Sequence, residues 1–437
     1  MKHATAITLN MKKLLILLIT LSPLAFAQPN THSVTIDTEY NVPISIDWGY
    51  GYLDGWGDLT PLITTYIDKN GTISVCSVDT NARETYIYEY TQDLRPIKTI
   101  KFSNEFEKLG AFVKDEDGNY YLFFAGRAAS KLAESMILVK YDREGEKIKT
   151  YKLKANPPSS FDGVKNPFYA GSCRLELSGS MIAVYFARQM FNGHQASYGF
   201  ILDKDTFERV DRGAATNDNR DGGNSQMPYV SHSFNQYILP VDNGFIFTDQ
   251  GDVYPRGFDF TLFQKGKYTK RLKAFTFKKG KTYQYTFAQL GGLAKTSGGY
   301  IFAGTYEKNT ITSNERHNDS RNLFVLTIDD DFTVCSKPIW ITGYTDKNNE
   351  NAANPKIASL EGGRYLLMWE YMTSYDYKTT FMQVIDESGN LLGDMVELPG
   401  IRLNINDALR YNRHNGKVYW AVNDGNKSII VYALEVQ

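Results

Sequence analysis

The chain has 437 residues, 42% of them hydrophobic and 22% charged, with a formal net charge of −1. That apolar content is enough for a large buried core and excludes a disordered chain, while the charge balance excludes a protein that meets nucleic acid through a broad basic field. Aromatic residues make up 14% of the chain, 30 of them Tyr, and together with 35 Gly they favour strands and turns over helices.

At the N-terminus, Lys12 and Lys13 precede an apolar run from Leu14 to Phe26, and Ala25-Phe26-Ala27 supplies a small-x-small cleavage pattern. Residues 1–27 therefore read as a secretory signal cut before Gln28, with Met11 as an alternative start. A buried N-terminal helix is the other reading of the run. Its length is too short to span a bilayer comfortably, no Cys follows it to carry a lipid, and no second apolar span appears. The expectation is an exported protein, periplasmic or extracellular, with residues 28–437 forming one domain, no transmembrane span and no lipid anchor. Cleavage removes Lys2, Lys12 and Lys13 and leaves 45 basic against 49 acidic side chains, net −4. Cys76, Cys173 and Cys335 are odd in number and widely spaced, so at most one disulfide is expected and zinc is not indicated.

A turn signal then recurs between β-like runs: Asn70-Gly71, Asp117-Gly118, Ser178-Gly179, Asn243-Gly244, Gly298-Gly299, Gly362-Gly363 and Asn415-Gly416. They read as two-residue hairpin turns in which glycine supplies positive φ. Gly71 to Gly416 spans 345 residues in six steps, a mean of 57.5, with single steps of 47 to 65. After each turn comes an apolar strand such as Asn119–Ala125 or Tyr300–Thr305, then a variable segment, a third strand such as Ile137–Asp142 or Phe381–Asp386, and a short fourth strand. Four antiparallel strands in a unit of this length describe a propeller blade. Seven units are counted. The last lacks its outermost strand, and His32–Tyr40 is a spare alternating strand ahead of the first. The fold class is thus all-β: a single β-propeller of seven four-stranded blades closed by an N-terminal strand, with six or eight blades, or a pair of sandwiches, as alternatives.

The fifth unit, Thr296-Ser297-Gly298-Gly299-Tyr300-Ile301-Phe302-Ala303-Gly304-Thr305 followed by Leu323 to Asp329, resembles the repeats of secreted bacterial β-propellers. Ser231 to Gln236 and Asp249 to Arg256 resemble segments of uncharacterised secreted bacterial proteins. The resemblance implies a fold and brings no activity with it.

Motifs for zincins, P-loops, nucleophile elbows, EF-hands and sialidase-type Asp turns are absent, and no cofactor or metal is expected. By propeller topology, the loop between the second and third strands opens on the same face as the connection between blades. Three polar segments are expected to converge there at one rim: Gln189–Ser197 with His194 and Gln195, Ser231–His232 with Gln236 beyond, and Asp249–Arg256. His232, His194 and Asp252 are the catalytic candidates, since imidazole beside carboxylate suits general acid–base chemistry. Gln195, Ser231, Gln236, Asp249, Tyr254 and Arg256 are the ligand-binding candidates, with Arg256 a fork for a carboxylate. The same groups also suit a purely structural role, bonding backbone that the channel leaves unpaired. Trp48-Gly-Tyr-Gly-Tyr-Leu-Asp-Gly-Trp56 offers Trp48, Tyr50 and Trp56 as a stacking surface or, equally, as a packed plug. Lysines from Lys265 to Lys281 read as solvated edge-strand charges. Three functional readings follow: an exported module that binds a protein, peptide or glycan; a glycan-active hydrolase or lyase; and a structural envelope protein.

Overall fold

A computed structural model describes residues 29–46, 63–157, 162–211, 229–251, 257–277, 288–308, 320–345, 349–374, 376–423 and 425–436. Among these residues every regular element is a strand. They are β1 (Thr31–Asp37); β2 (Thr64–Ile67), β3 (Ile73–Asp79), β4 (Glu84–Tyr90) and β5 (Pro96–Ser103); β6 (Lys108–Lys114), β7 (Tyr120–Ala125), β8 (Glu134–Tyr141) and β9 (Lys147–Lys154); and β10 (Asn166–Pro167), β11 (Cys173–Ser178), β12 (Met181–Gln189) and β13 (Gln195–Asp203). They continue with β14 (Ser233–Val241), β15 (Gly244–Gly251), β16 (Gly257–Gln264) and β17 (Lys267–Thr276); β18 (Gln289–Lys295), β19 (Gly299–Glu307), β20 (Arg321–Asp329) and β21 (Ile339–Trp340); β22 (Glu350–Ser359), β23 (Arg364–Thr373), β24 (Asp376–Asp386) and β25 (Leu391–Leu398); and β26 (Arg410–Asn412), β27 (Lys417–Val422) and β28 (Ser428–Glu435).

These strands make seven four-stranded antiparallel sheets, and the chain is a seven-bladed β-propeller. The innermost strands β2, β6, β11, β14, β18, β22 and β26 follow one another around a central channel, and β26 returns to β2. β1 is the outer strand of the seventh blade, paired with β28 from Thr31↔Leu434 to Asp37↔Ser428, which closes the ring as expected. The third blade differs in detail. Its short β10 pairs with the end of β12, and its outer strand is reduced to a bridge between Leu202 and Arg209.

The core is a set of seven layers, one between each pair of adjacent blades. β7 shows how the sequence builds them. Tyr120, Leu122 and Phe124 pack toward the first blade, while Tyr121, Phe123 and Ala125 pack toward the third. Because both faces of a blade are covered, the middle strands read as continuous apolar runs. Each fully buried aromatic or leucine contributes about 2–3 kcal/mol.

Turn chemistry departs from expectation. Gly179-Ser180 and Asp242-Asn243 are two-residue loops, but the links at Gly71 and Gly118 hold three. In those longer loops the glycine N–H donates to the carbonyl of an Asp three residues back, Gly71 to Asp68 at 2.9 Å and Gly118 to Asp115 at 3.2 Å. The Asp side chain accepts two further backbone N–H groups in each. At Asn243-Gly244 the positive φ belongs to Asn243 (53°), and Gly244 is required because a Cβ would overlap the Phe263 carbonyl. All three cysteines are free thiols, Cys76 and Cys173 buried and Cys335 half-buried. Lys270 and Lys273 on the outer strand of the fourth blade pair with Asp331 and Asp259, both at 2.7 Å.

Candidate functional site

Bulges in four innermost strands shape the channel mouth. They fall at Leu109/Ala111, Phe234/Tyr237, Leu290/Gly292 and Ala353/Lys356. Asn235 and Asn354 occupy two of them at φ 47° and 51°, in the left-handed region that Asn tolerates. Each donates its amide to the backbone of the next blade, Asn235 to Leu290 O and Asn354 to Leu403 O, both at 3.0 Å. The bulges thus stitch neighbouring blades and re-aim the side chains that follow.

At the rim, the β12–β13 loop is a tight turn. Met190 N–H donates to His194 O at 2.7 Å, and Gly193 takes φ 88°. This turn lifts His194 toward the segment entering the fourth blade. Residues 229–232 of that segment lie along β13, with His232 N–H on Gln195 O at 2.9 Å and a bridge between Ser231 and Ala196. His194 Nε2 and Ser231 Oγ stand 2.6 Å apart. The His194 and His232 rings lie 4.8 Å apart at 38°, and the Tyr229 ring lies 6.5 Å from that of His194, nearly parallel to it at 15°. His232 is itself held at φ 49°. Beneath them Arg188 of β12 is 1% exposed; it donates to Gly163 O at 2.6 Å and lies over the Tyr198 ring at 5.2 Å. Burial pulls Arg188 down to about 10. Burial first, and the Arg188 charge second, hold His194 below the ordinary imidazole range, so it is neutral at physiological pH.

His194, Ser231 and His232 therefore meet. Of the other expected residues, the three that are described, Gln195, Gln236 and Asp249, do not join them at the surface. Gln195 is 1% exposed and donates to Ser233 O and Tyr169 O. Gln236 is fully buried; its oxygen accepts Ser172 N–H at 2.7 Å, and its amide faces Ser233 and Asp249. Asp249 lies on β15 rather than on a loop. It accepts the hydroxyls of Tyr185 and Ser233 in the layer between the third and fourth blades. Burial pushes its carboxyl up to about 7, and the neighbouring Asp259 adds to the rise. Asp252, Tyr254, Arg256, Trp48, Tyr50 and Trp56 lie outside the described residues, as does the signal segment.

A second polar cluster fills the channel itself. β11 alternates Arg174 and Glu176 with Leu175 and Leu177, which turn into the layer toward the second blade. From the opposite arc of the ring, Arg410 at the start of β26 donates to Glu176 at 3.2 Å and to Thr65 O at 3.0 Å, with Asp407 3.9 Å away. Asp407 accepts Thr65 N–H at 2.6 Å. Burial opposes the charge of Arg410, but Glu176 and Asp407 outweigh it and raise its pKa. Burial raises both carboxyls in turn. Lys356, directly after the β22 bulge, joins the cluster through Ile405 O at 3.5 Å. None of these residues was singled out from sequence. For Arg174 and Glu176 the signal is a charged residue at every second position of an innermost strand whose other face is apolar. Among the described residues no group of three or more His, Cys, Asp and Glu is arranged to hold a metal, and no helix is long and apolar enough to cross a membrane.

No family model matches the chain, and no curated protein matches it. Among solved structures it is similar to the endo-arabinase from Bacteroides thetaiotaomicron VPI-5482, at 15% identity over 64% of this chain and 96% of that one, TM-score 0.34. It is similar to the α-L-arabinanase of Penicillium chrysogenum solved with arabinobiose, at 12% identity over 91% and 98%, TM-score 0.39. It is also similar to a polysaccharide lyase, at 8% identity over 92% and 100%, TM-score 0.45. At these values no residue role passes to this chain.

Proposed function

We propose that the protein is exported, with residues 1–27 as the signal and 28–437 as the propeller, and that the rim between its third and fourth blades binds a protein, peptide or glycan. The observation that carries this reading is the meeting of His194, Ser231 and His232, half-buried and drawn from segments 37 residues apart. Two imidazoles, a hydroxyl and a tyrosine ring offer flat faces and both donor and acceptor atoms, which suits hydroxyl-rich or peptide ligands. The test is binding by thermophoresis against a panel of neutral and acidic polysaccharides and surface peptides. His194→Ala and His232→Ala are expected to weaken binding about tenfold, or about 1.4 kcal/mol, with melting unchanged. Equal binding by both variants, or no binder in the panel, sinks the reading. Export is checked by N-terminal sequencing of the secreted protein, which should begin at Gln28.

The 2.6 Å contact between Ser231 and His194 favours a second reading, a hydrolase in which the imidazole accepts the hydroxyl proton as Ser231 attacks. A fluorophosphonate probe should then label Ser231, and His194→Ala should abolish the label. An unlabelled wild-type protein removes this reading.

A further inference from the structure

Arg188, beneath the rim, is a buried cation with few partners. Among the described residues it donates to Gly163 O at 2.6 Å, its guanidinium lies 5.2 Å from the Tyr198 ring, its Nε is buried without a bond, and no carboxylate stands within 4.0 Å. Nearby acids are already taken. Asp162 accepts Lys131 on one oxygen and Asn192 N–H on the other, the latter at 2.6 Å. Asp211 closes a pair at 2.8 Å with Arg209, the guanidinium that also acts on Tyr198. A buried guanidinium without a carboxylate is costly unless something else brings negative charge to it. The sheet register brings this cation to the rim residues. Arg188 pairs with Ala196 and Ala196 bridges to Ser231, so the three share one face of the third blade, and the residue between arginine and serine carries only a methyl. The charge of Arg188 acts on His194, and the Tyr229 phenol acts on Arg188 in turn. Backbone strain gathers at the same place. Asp162, Phe168 and Ala170, in the segment leading into β11, and His232 all hold left-handed φ between 49° and 62°. Such conformations cost energy and collect where a ligand is clamped.

We propose that the rim takes an acidic glycan, with a uronate carboxylate seated on Arg188 and hydroxyls of the same sugar on His194 and Ser231. This inference rests on the rim site proposed above and adds its ligand class. Half-buried His194, Tyr229 and Ser231 form the approach from solvent, and the guanidinium fork below them matches a planar carboxylate. A uronate carries its carboxylate and its hydroxyls on one rigid ring. That suits an arginine and a serine whose Cα atoms stand two strand spacings, about 10 Å, apart across the sheet. An acidic peptide fits less well. It would dock by adding a strand, and the end of β13 is already covered: Ser197 N–H donates to Val230 O at 3.0 Å and His232 N–H to Gln195 O at 2.9 Å.

The test is binding of the full chain to polygalacturonate and to alginate, each beside its fully esterified, uncharged form, with poly-L-glutamate as the peptide arm. At least one acid is expected to bind about tenfold or more tightly than its ester. Arg188→Met should erase that preference and leave the weaker binding of the ester as it was, a selective loss that a purely structural arginine would not produce. Arg188→Lys covers the case in which the Met variant does not fold: the preference should shrink, because an ammonium lacks the fork. No binding of either acid, equal binding of acid and ester, or a preference undiminished in the folded Arg188 variants overturns the proposal. Tighter binding of poly-L-glutamate than of both glycans also overturns it, in favour of an acidic peptide. If acid and ester bind alike and both weaken in His194→Ala, the rim site stands and the uronate assignment alone falls.

Discussion

Arg410 of the seventh blade and Glu176 of the third join across the central channel, Nη1 to Oε1 at 3.2 Å, although 234 residues separate them. Blades that share no layer are thereby tied through their innermost strands. Removing one partner leaves buried charge behind. Arg410→Met is expected to cost about 3 kcal/mol at pH 7.5, because Glu176 and Asp407 lose their cation. The cost should shrink at pH 4.5, because burial raises both carboxyls and brings them nearer to protonation there. The double variant Arg410→Met/Glu176→Gln should lose less than the two singles summed, as melting curves at both pH values will show.

Closure by β1 makes a separate prediction. Deleting residues 29–37 leaves one edge of β28 unpaired from Ser428 to Leu434 and exposes Val34 and Ile36 partners in the layer with the first blade. The truncated protein should melt lower and associate with time. Light scattering behind a sizing column checks this, and a monomer of unchanged melting temperature refutes it.

The buried carboxyl of Asp249 gives stability a pH slope of definite sign. Its folded pKa, about 7, lies above that of an unfolded Asp, about 4. Between those values the unfolded chain releases its proton first. The contribution of this group is therefore full below pH 4 and lost as pH rises toward 7, by about 4 kcal/mol. Asp249→Asn should flatten that part of the profile. The hydroxyls of Tyr185 and Ser233 can reorient to an amide, so stability at pH 7.5 should not fall. Denaturant titrations at pH 4.5, 6 and 7.5 give the answer.

Within one dipeptide the two glycines should behave oppositely. A Cβ on Gly298 meets open space, whereas one on Gly299 overlaps the Ile328 carbonyl of the paired strand. Gly298→Ala is expected to be near neutral and Gly299→Ala to cost about 2–3 kcal/mol, read by chemical denaturation.

The blade count was legible because Gly-marked turns and alternating apolar strands are local signals, repeated seven times. The spare strand at His32–Tyr40 was legible by the same logic, since an unpaired edge demands a partner. What stayed hidden depends on third-dimensional aim. Asp249 reads as the start of a polar loop, yet β15 runs on through Gly251 and buries it against Tyr185. Arg174, Glu176, Lys356 and Arg410 sit in strands that look like any half-buried strand until seven of them surround one axis. The bulges that aim Lys356 and Asn235 leave no mark beyond an Asn or a Pro inside a strand. The meeting of His194 with Ser231 was readable from topology alone, because both lie where chain connections share one face.

The pairing of Thr31 with Leu434 also sets an order in time. β1 must wait until synthesis has passed β28 before it finds its mate. Until then the seventh sheet is incomplete and its layer with the first blade is open. Were the chain threaded through a membrane N-terminus first, its ring could not lock on the near side, and its last sheet would complete only after residue 434 had crossed.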